Sequence, residues 1–225
     1  MHNKIITIGH ASHDISRFVE LLEANQVETL IDTRQFPVSR HNPSFNRSKI
    51  SKWLPNEGFQ YVFLGNGLGN IQERILNTSI RLEEINSNSP EFRAFSHDFG
   101  NLLAHLNSLE NIAILGVRGD PFESPRFYQL APLLQGMGFS INHVLEDGQV
   151  IPNWQLEVEM VRNSINCELT SSLHSKQILQ LAYQTHRMVI ANKNKANKKA
   201  SLKGPPNTID LQDHSRQLPF LDLVG

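Results

Sequence analysis

The sequence predicts an α/β protein, with a mainly parallel sheet of about five strands flanked by helices and a helical C-terminal extension. Three observations predict this. Five short β-branched or apolar runs recur through the first 150 residues: "KIITIGH", "ETLIDTR", "FQYVFLG", "NIAILGV" and "FSINHVLE". Segments of helical period separate them, and alternation of this kind builds parallel sheets covered by helices. After about Asp147 the strand-like runs stop and two amphipathic patterns follow. The expected organisation is a core over 1–150, a helical extension over 151–190, and a flexible linker with an apolar peptide over 191–225.

Each helix has its own signals. "HDISRFVELLEAN" opens with Asp14 as N-cap and sets Ile15, Phe18, Val19 and Leu22 on one face. "NRSKISKWLPNEG" is shorter, and Pro55 ends or kinks it. "SPEFRAFSHDFGNLLAHLNSL" starts with Ser89 as N-cap and Pro90 in the first turn. "SPRFYQLAPLLQGMG" begins after Ser124 and Pro125, and Pro132 must bend or break it. Polar "EEINSNSPE" reads as an exposed loop. In the extension, "NWQLEVEMVRNSI" and "SLHSKQILQLAYQTHRMVI" are the two amphipathic helices, followed by the linker-like "ANKNKANKKASLKGPPNT".

Composition bounds the function classes. The chain has 225 residues, 39% of them hydrophobic, in runs of strand length that cannot span a bilayer. The first residues lead directly into a strand pattern without signal-peptide features. The single cysteine, Cys167, makes no internal disulfide, which points to a reducing cytoplasm. With 21 basic and 22 acidic residues, the overall charge selects no partner. Its placement is more informative.

The densest polar constellation is "IDTRQFPVSRHNPSFNR" after the second strand. Asp32 and Arg34 are alternate residues at a strand's carboxyl end, so both can point to one side. Arg40 and Arg47 follow in a loop stiffened by Pro37 and Pro43, and Ser39 lies beside Arg40. Arginine forks recognise phosphate or carboxylate at two points. The alternative is a solvated loop with a structural Asp–Arg pair. "GHASHD" offers His10 and His13, both able to titrate near neutrality. No compact Cys/His/Glu set accompanies them, so no metal is expected. "FLGNGLGN" carries Gly65, Gly67 and Gly69, which can aim N–H groups at an anion or form a plain turn. It matches neither a dinucleotide nor a Walker pattern, and no cofactor is expected. "LGVRGDPFESPRF" adds Arg118, Asp120 and Arg126. All four loops follow strands and converge on one rim of a parallel sheet, where ligands bind.

"TIGHASHDISRFVELLEANQVETLIDTRQFPVSRHNPSFNRSKI" closely resembles the opening of the domain of unknown function 488 family. The matching positions are Thr7 to His10, Asp32, Arg34, Pro37, Ser39, Arg40, Pro43 and Phe45. "GFQYVFLGNGLGN" resembles the family's glycine-rich third-strand element, with Asn70 in place of the second glycine. The resemblance extends to about Asp147 and implies an α/β fold without an established activity. Relatives in this family usually have a Cys-Ala-Glu segment ending the fourth strand and a Cys-His-Arg opening the next helix. Here these positions read Gly116-Val117-Arg118 and Ser124-Pro125-Arg126. Thiolate chemistry is therefore not expected, since Ser124 is a poor nucleophile without a base. Exchanging a glutamate for Arg118 favours anion binding, unless Arg118 merely pairs with a nearby aspartate.

The terminal "SRQLPFLDLVG" loosely resembles the short peptides that dock bacterial proteins on a replication sliding clamp, through Gln217, Leu218, Phe220 and Leu221. The alternative is that these apolar residues pack on the parent domain. The lysine-rich stretch before them is a solvated linker or a contact for a nucleic-acid backbone.

These readings combine into one expectation. The chain is an anion-binding α/β protein that acts on, or senses, a phosphate-bearing ligand such as a nucleotide or nucleic acid. Arg34, Arg40, Arg118, Arg126 and Ser39 would hold the anion. Asp32 would orient Arg34 or act as general base, with His10 as second candidate. The competing expectation is a catalytically inactive interaction module tethered by its C-terminal peptide.

Overall fold

A computed structural model describes residues 5–69, 89–108, 111–164 and 174–202. All five expected strands are present: β1 (Ile5–Gly9), β2 (Thr29–Asp32), β3 (Gln60–Phe63), β4 (Ile112–Gly116) and β5 (Ile141–Val144). Strand β6 (Val150–Pro152) joins them through the turn at Asp147-Gly148 and pairs antiparallel with β5. The order is β3-β2-β4-β1-β5-β6, with every pair except the last parallel. Strands β1, β2 and β4 are buried along their whole length, as expected of near-continuous apolar runs inside a parallel sheet.

The helices follow their sequence signals. In α1 (Ile15–Ala24) the Asp14 side chain accepts from the Arg17 N–H at 2.7 Å. In α3 (Pro90–Leu106) Ser89 Oγ accepts from Phe92 N–H at 3.1 Å. Helix α2 (Arg47–Asn56) takes Pro55 in its last turn. Pro132 has the effect its missing N–H predicts. A π-helical turn over Arg126–Leu130 precedes the short helix α4 (Ala131–Gly136), because the chain changes register where a donor is lost.

Helices α1 and α2 cover one face of the sheet, around Ile6, Ile8, Phe18, Leu22, Phe45 and Leu54. Helices α3 and α4 cover the other, around Ile31, Phe95, Leu102, Ile114, Leu130 and Leu134. Neighbouring strands β2 and β4 thus send their following loops to opposite faces. A crevice opens between such loops at the carboxyl edge of the sheet.

The extension comprises α5 (Asn153–Ser164) and α6 (Ser175–Leu202). Leu156, Met160, Ala182, Tyr183 and Ile190 from these helices pack on Phe127 and Tyr128 of the π turn. A buried polar chain anchors them to the sheet. His143 Nε2 lies 2.8 Å from the Asn153 side-chain oxygen, which can only accept, so Nε2 carries the proton. Nδ1 then accepts from the Thr7 hydroxyl at 2.7 Å. Asn153 donates onward to Gln135 at 2.8 Å and contacts the Tyr183 hydroxyl at 3.4 Å, and Tyr183 donates to Glu157.

Residues 191–202, assigned from composition to a flexible linker, are instead the last turns of α6. Alanine and lysine are good helix formers, and Ile190 and Ala191 are buried, so packing continues a helix that composition alone reads as a tether. The glycine-proline segment beyond it lies outside the described residues.

Candidate functional site

The crevice between the β2 and β4 loops is a cavity of about 360 Å³. Thr33, Arg34 and Phe36 line it from the β2 side; Gly116, Arg118, Ser124 and Arg126 line it from the β4 side. Asn194 of α6 reaches its lip. Of the five arginines that sequence brings to this rim, three line the cavity.

Arg34 is a buried member of an ion pair with wholly buried Asp32. Its Nε and Nη2 donate to the two carboxylate oxygens at 2.8 and 2.7 Å, and Nη2 also reaches the Phe45 carbonyl at 2.9 Å. Nη1 is the one nitrogen these bonds do not use. The Arg34 N–H and the Tyr61 hydroxyl also donate to Asp32, at 3.1 and 2.7 Å. Four donors thus occupy this carboxylate, which holds Arg34 and does not line the cavity.

Arg126 is 2% exposed, at the start of the π turn. Nη1 and Nη2 donate to the carbonyls of Arg118 and Gly119 at 2.7 and 2.9 Å, which fastens the loop after β4. Nε is buried without a hydrogen-bond partner. No carboxylate forms a salt bridge with it among the described residues; exposed Asp120 acts only at a distance and bonds Phe122 N–H. Burial pushes the guanidinium down to about 9, opposed weakly by Asp120.

Arg118 is more exposed and pairs with Glu123, which also takes Lys193 of α6. The hydrogen bond from Lys193 chiefly, with Arg118, holds the Glu123 carboxyl below the usual range against a smaller opposing effect of burial. Arg118 Nη2 contacts the Asn194 side-chain oxygen at 3.4 Å. The alternative pairing of Arg118 with Asp32 or Asp120 does not occur; its partner is Glu123.

Glycines shape the floor. A β-carbon on Gly116 would stand 2.9 Å from Arg126 Nη1 and 3.1 Å from Ser124 Oγ. Positions 116 and 124, where the resemblance places cysteines, therefore face each other beside Arg126. In the glycine loop, Gly67 N–H donates to the Asp98 carboxylate at 2.6 Å. Any side chain at Gly65, Gly67 or Gly69 would collide with the backbone of Arg34, Ala94 or Gln35. Close packing accounts for these glycines; of the three, only Gly69 lines the cavity.

Other expected site residues lie elsewhere. His10 is buried, stacked on Phe45 with ring centroids 5.0 Å apart, and burial with nearby Arg34 lowers it to about 4. It does not line the cavity. Arg40 is exposed outside it, and Arg47 stacks on Phe63 at 3.7 Å. Ser39 closes a turn, accepting from Asn42 N–H at 3.0 Å while its own N–H donates to Asn46. No cluster suited to a metal occurs among the described residues, and no described helix is long and apolar enough to cross a membrane. Gln217, Leu218, Phe220 and Leu221 lie outside the described residues.

Sequence reading passed over Phe36, Thr33 and Asn194. Phe36 lay in view between Arg34 and Pro37, but an apolar loop residue carries no chemical flag. Asn194 was hidden by its assignment to the linker, and only the path of α6 brings it to the cavity.

Fold and cleft together define a doubly wound α/β protein with a basic crevice at the point where its strand connections diverge. Residues 14–116, from α1 to the end of β4, match the family model described as Domain of unknown function DUF488, which supports membership of that family. No curated protein and no solved structure matches it.

Proposed function

We propose that the cleft between β2 and β4 binds a small phosphate-bearing ligand, with Arg126 as its buried cation and Arg34 and Arg118 at its walls. One observation carries this reading. Arg126 is buried without a salt-bridging carboxylate, and its Nε has no partner. A buried, incompletely paired charge is costly unless something offsets it, and an anion in the adjoining cavity does so.

Charge counting supports a multiply charged ligand. Asp32 cancels Arg34, while Arg118 and Lys193 share Glu123, leaving one positive charge in that trio. Arg126 adds a second. A phosphate monoester carries about −1.5 to −2 at neutral pH and offers three acceptor oxygens to forked donors. Asp32 serves as the orienting group for Arg34, since four donors occupy its carboxylate. The reading is one of binding or sensing: no histidine or carboxylate is hydrogen-bonded to Ser124 among the described residues to activate it.

The test is thermal denaturation of the full chain in low salt with inorganic phosphate, mononucleotides and short oligonucleotides. Phosphate compounds should raise the melting temperature of the native chain and leave Arg126→Met unmoved. An unchanged melting temperature for the native chain across this series rejects the reading.

A further inference from the structure

We infer that the cleft recognises a nucleoside monophosphate unit, its base stacked on Phe36. This rests on the phosphate reading above and names the second half of the ligand. Phe36 is 71% exposed, yet it lines the same cavity as Arg126. An exposed phenylalanine alone means little. What distinguishes this one is how firmly its backbone is held.

Arg34, two residues earlier, is locked to Asp32 and to the Phe45 carbonyl. Gly69 lies so close beneath Gln35 that a β-carbon would approach its nitrogen to 2.4 Å. Val38 N–H donates to the Phe36 carbonyl at 2.8 Å, closing a tight turn, and Arg47 N–H donates to the Pro37 carbonyl at 2.9 Å. Pro37 itself is buried. The chain is thus anchored on both sides of an aromatic ring that it presents outward. A ring carried on a fixed backbone has only its own side-chain torsions left to order when a planar group stacks on it, and bases stack on aromatics irrespective of sequence.

The rest of the wall suits a base better than a plain aryl group. Asn194 contributes an amide, and Thr33 Oγ1, which donates to the Leu115 carbonyl at 3.2 Å, retains acceptor capacity. The cavity, at about 360 Å³, lies near the lower end of the roughly 300–1,000 Å³ usual for ligand sites. That accommodates one nucleotide unit, not a dinucleotide. The same unit can be free or the phosphorylated end of a strand.

Calorimetric titration of the full chain in low salt tests this with inorganic phosphate, ribose 5-phosphate, phenyl phosphate, AMP, UMP and a 5′-phosphorylated trinucleotide. AMP and UMP should bind about tenfold or more tighter than ribose 5-phosphate, the increment typical of one base–aromatic stack. Phe36→Ala should erase that increment, so that AMP and UMP bind the variant no tighter than ribose 5-phosphate does, and Phe36→Trp should keep it. A trinucleotide that outcompetes AMP identifies a strand end, and equal affinity identifies the free nucleotide; either supports the unit. Phosphate binding with no preference for AMP over ribose 5-phosphate, phenyl phosphate binding as tightly as AMP, or an unaltered AMP affinity in Phe36→Ala overturns the base assignment while leaving the phosphate site standing. Failure of every phosphate compound to bind overturns both.

Discussion

Arg126 Nη1 donates to the main-chain carbonyl of Arg118 at 2.7 Å, so the buried arginine fixes the loop that carries the exposed one. Loop structure and part of the cavity charge therefore depend on one guanidinium. Arg126→Met removes the charge and leaves two carbonyls without their donor. The lost bonds destabilise, and relief from holding a buried cation offsets them. We expect a net change within about 2 kcal/mol by urea denaturation, together with loss of phosphate-induced stabilisation. A variant that unfolds outright, or that still responds to phosphate, contradicts this assignment.

Gly116 tests the same spot by crowding. In Gly116→Ala the new methyl would lie 2.9 Å from Arg126 Nη1 and 3.1 Å from Ser124 Oγ. Overpacking of this kind costs about 1–3 kcal/mol and displaces the guanidinium. The midpoint of denaturation should fall and phosphate affinity should weaken with it. Unchanged affinity would show that Arg126 does not set the site.

Asp32→Asn addresses the other wall. It leaves Arg34 buried without its counter-charge, and breaking a buried pair from one side costs about 3–5 kcal/mol. Urea denaturation measures this directly. A loss below about 1 kcal/mol would mean that the pair behaves like a surface salt bridge.

Acid should weaken the fold through two histidines. Burial chiefly lowers both His10 and His143 to about 4, against about 6.5 in an unfolded chain. Between those values the unfolded state binds more protons, so stability falls as pH drops from about 6.5 toward 4 and is insensitive to these groups above it. His10→Phe, which keeps a ring against Phe45, should flatten that slope. Denaturation midpoints at pH 7.5, 6 and 5 supply the comparison, and an identical slope would remove His10 from the account.

Asn153→Leu breaks the chain from Thr7 through His143 to Tyr183. Helices α5 and α6 should then protect their amides less from exchange, with the largest increase along 175–202. Preserved protection would mean that apolar packing on Phe127 and Tyr128 alone holds the extension.

Local pattern determined the five parallel strands, because apolar runs of strand length have one way to bury both faces. It determined the caps at Asp14 and Ser89 for the same kind of reason: each satisfies an N–H a few residues away. It also brought Arg34, Arg118 and Arg126 to one rim. Strand β6 was missed because three residues after a turn show no period, and the end of α6 because lysine and asparagine resemble a tether.

The roles of the arginines were decided only in three dimensions. Sequence links Arg34 to Asp32 and offers Arg34, Arg40, Arg118 and Arg126 to an anion, whereas the fold also stacks Arg47 on Phe63, leaves Arg40 outside, and buries Arg126 beside a cavity. The Arg34–Asp32 and Arg118–Glu123 pairs are local, but burial and the contact of Lys193 with Glu123 arise between residues distant in the chain, here across β2, β4 and α6. The charge a ligand would meet is therefore a property of the packed crevice, which no single segment encodes.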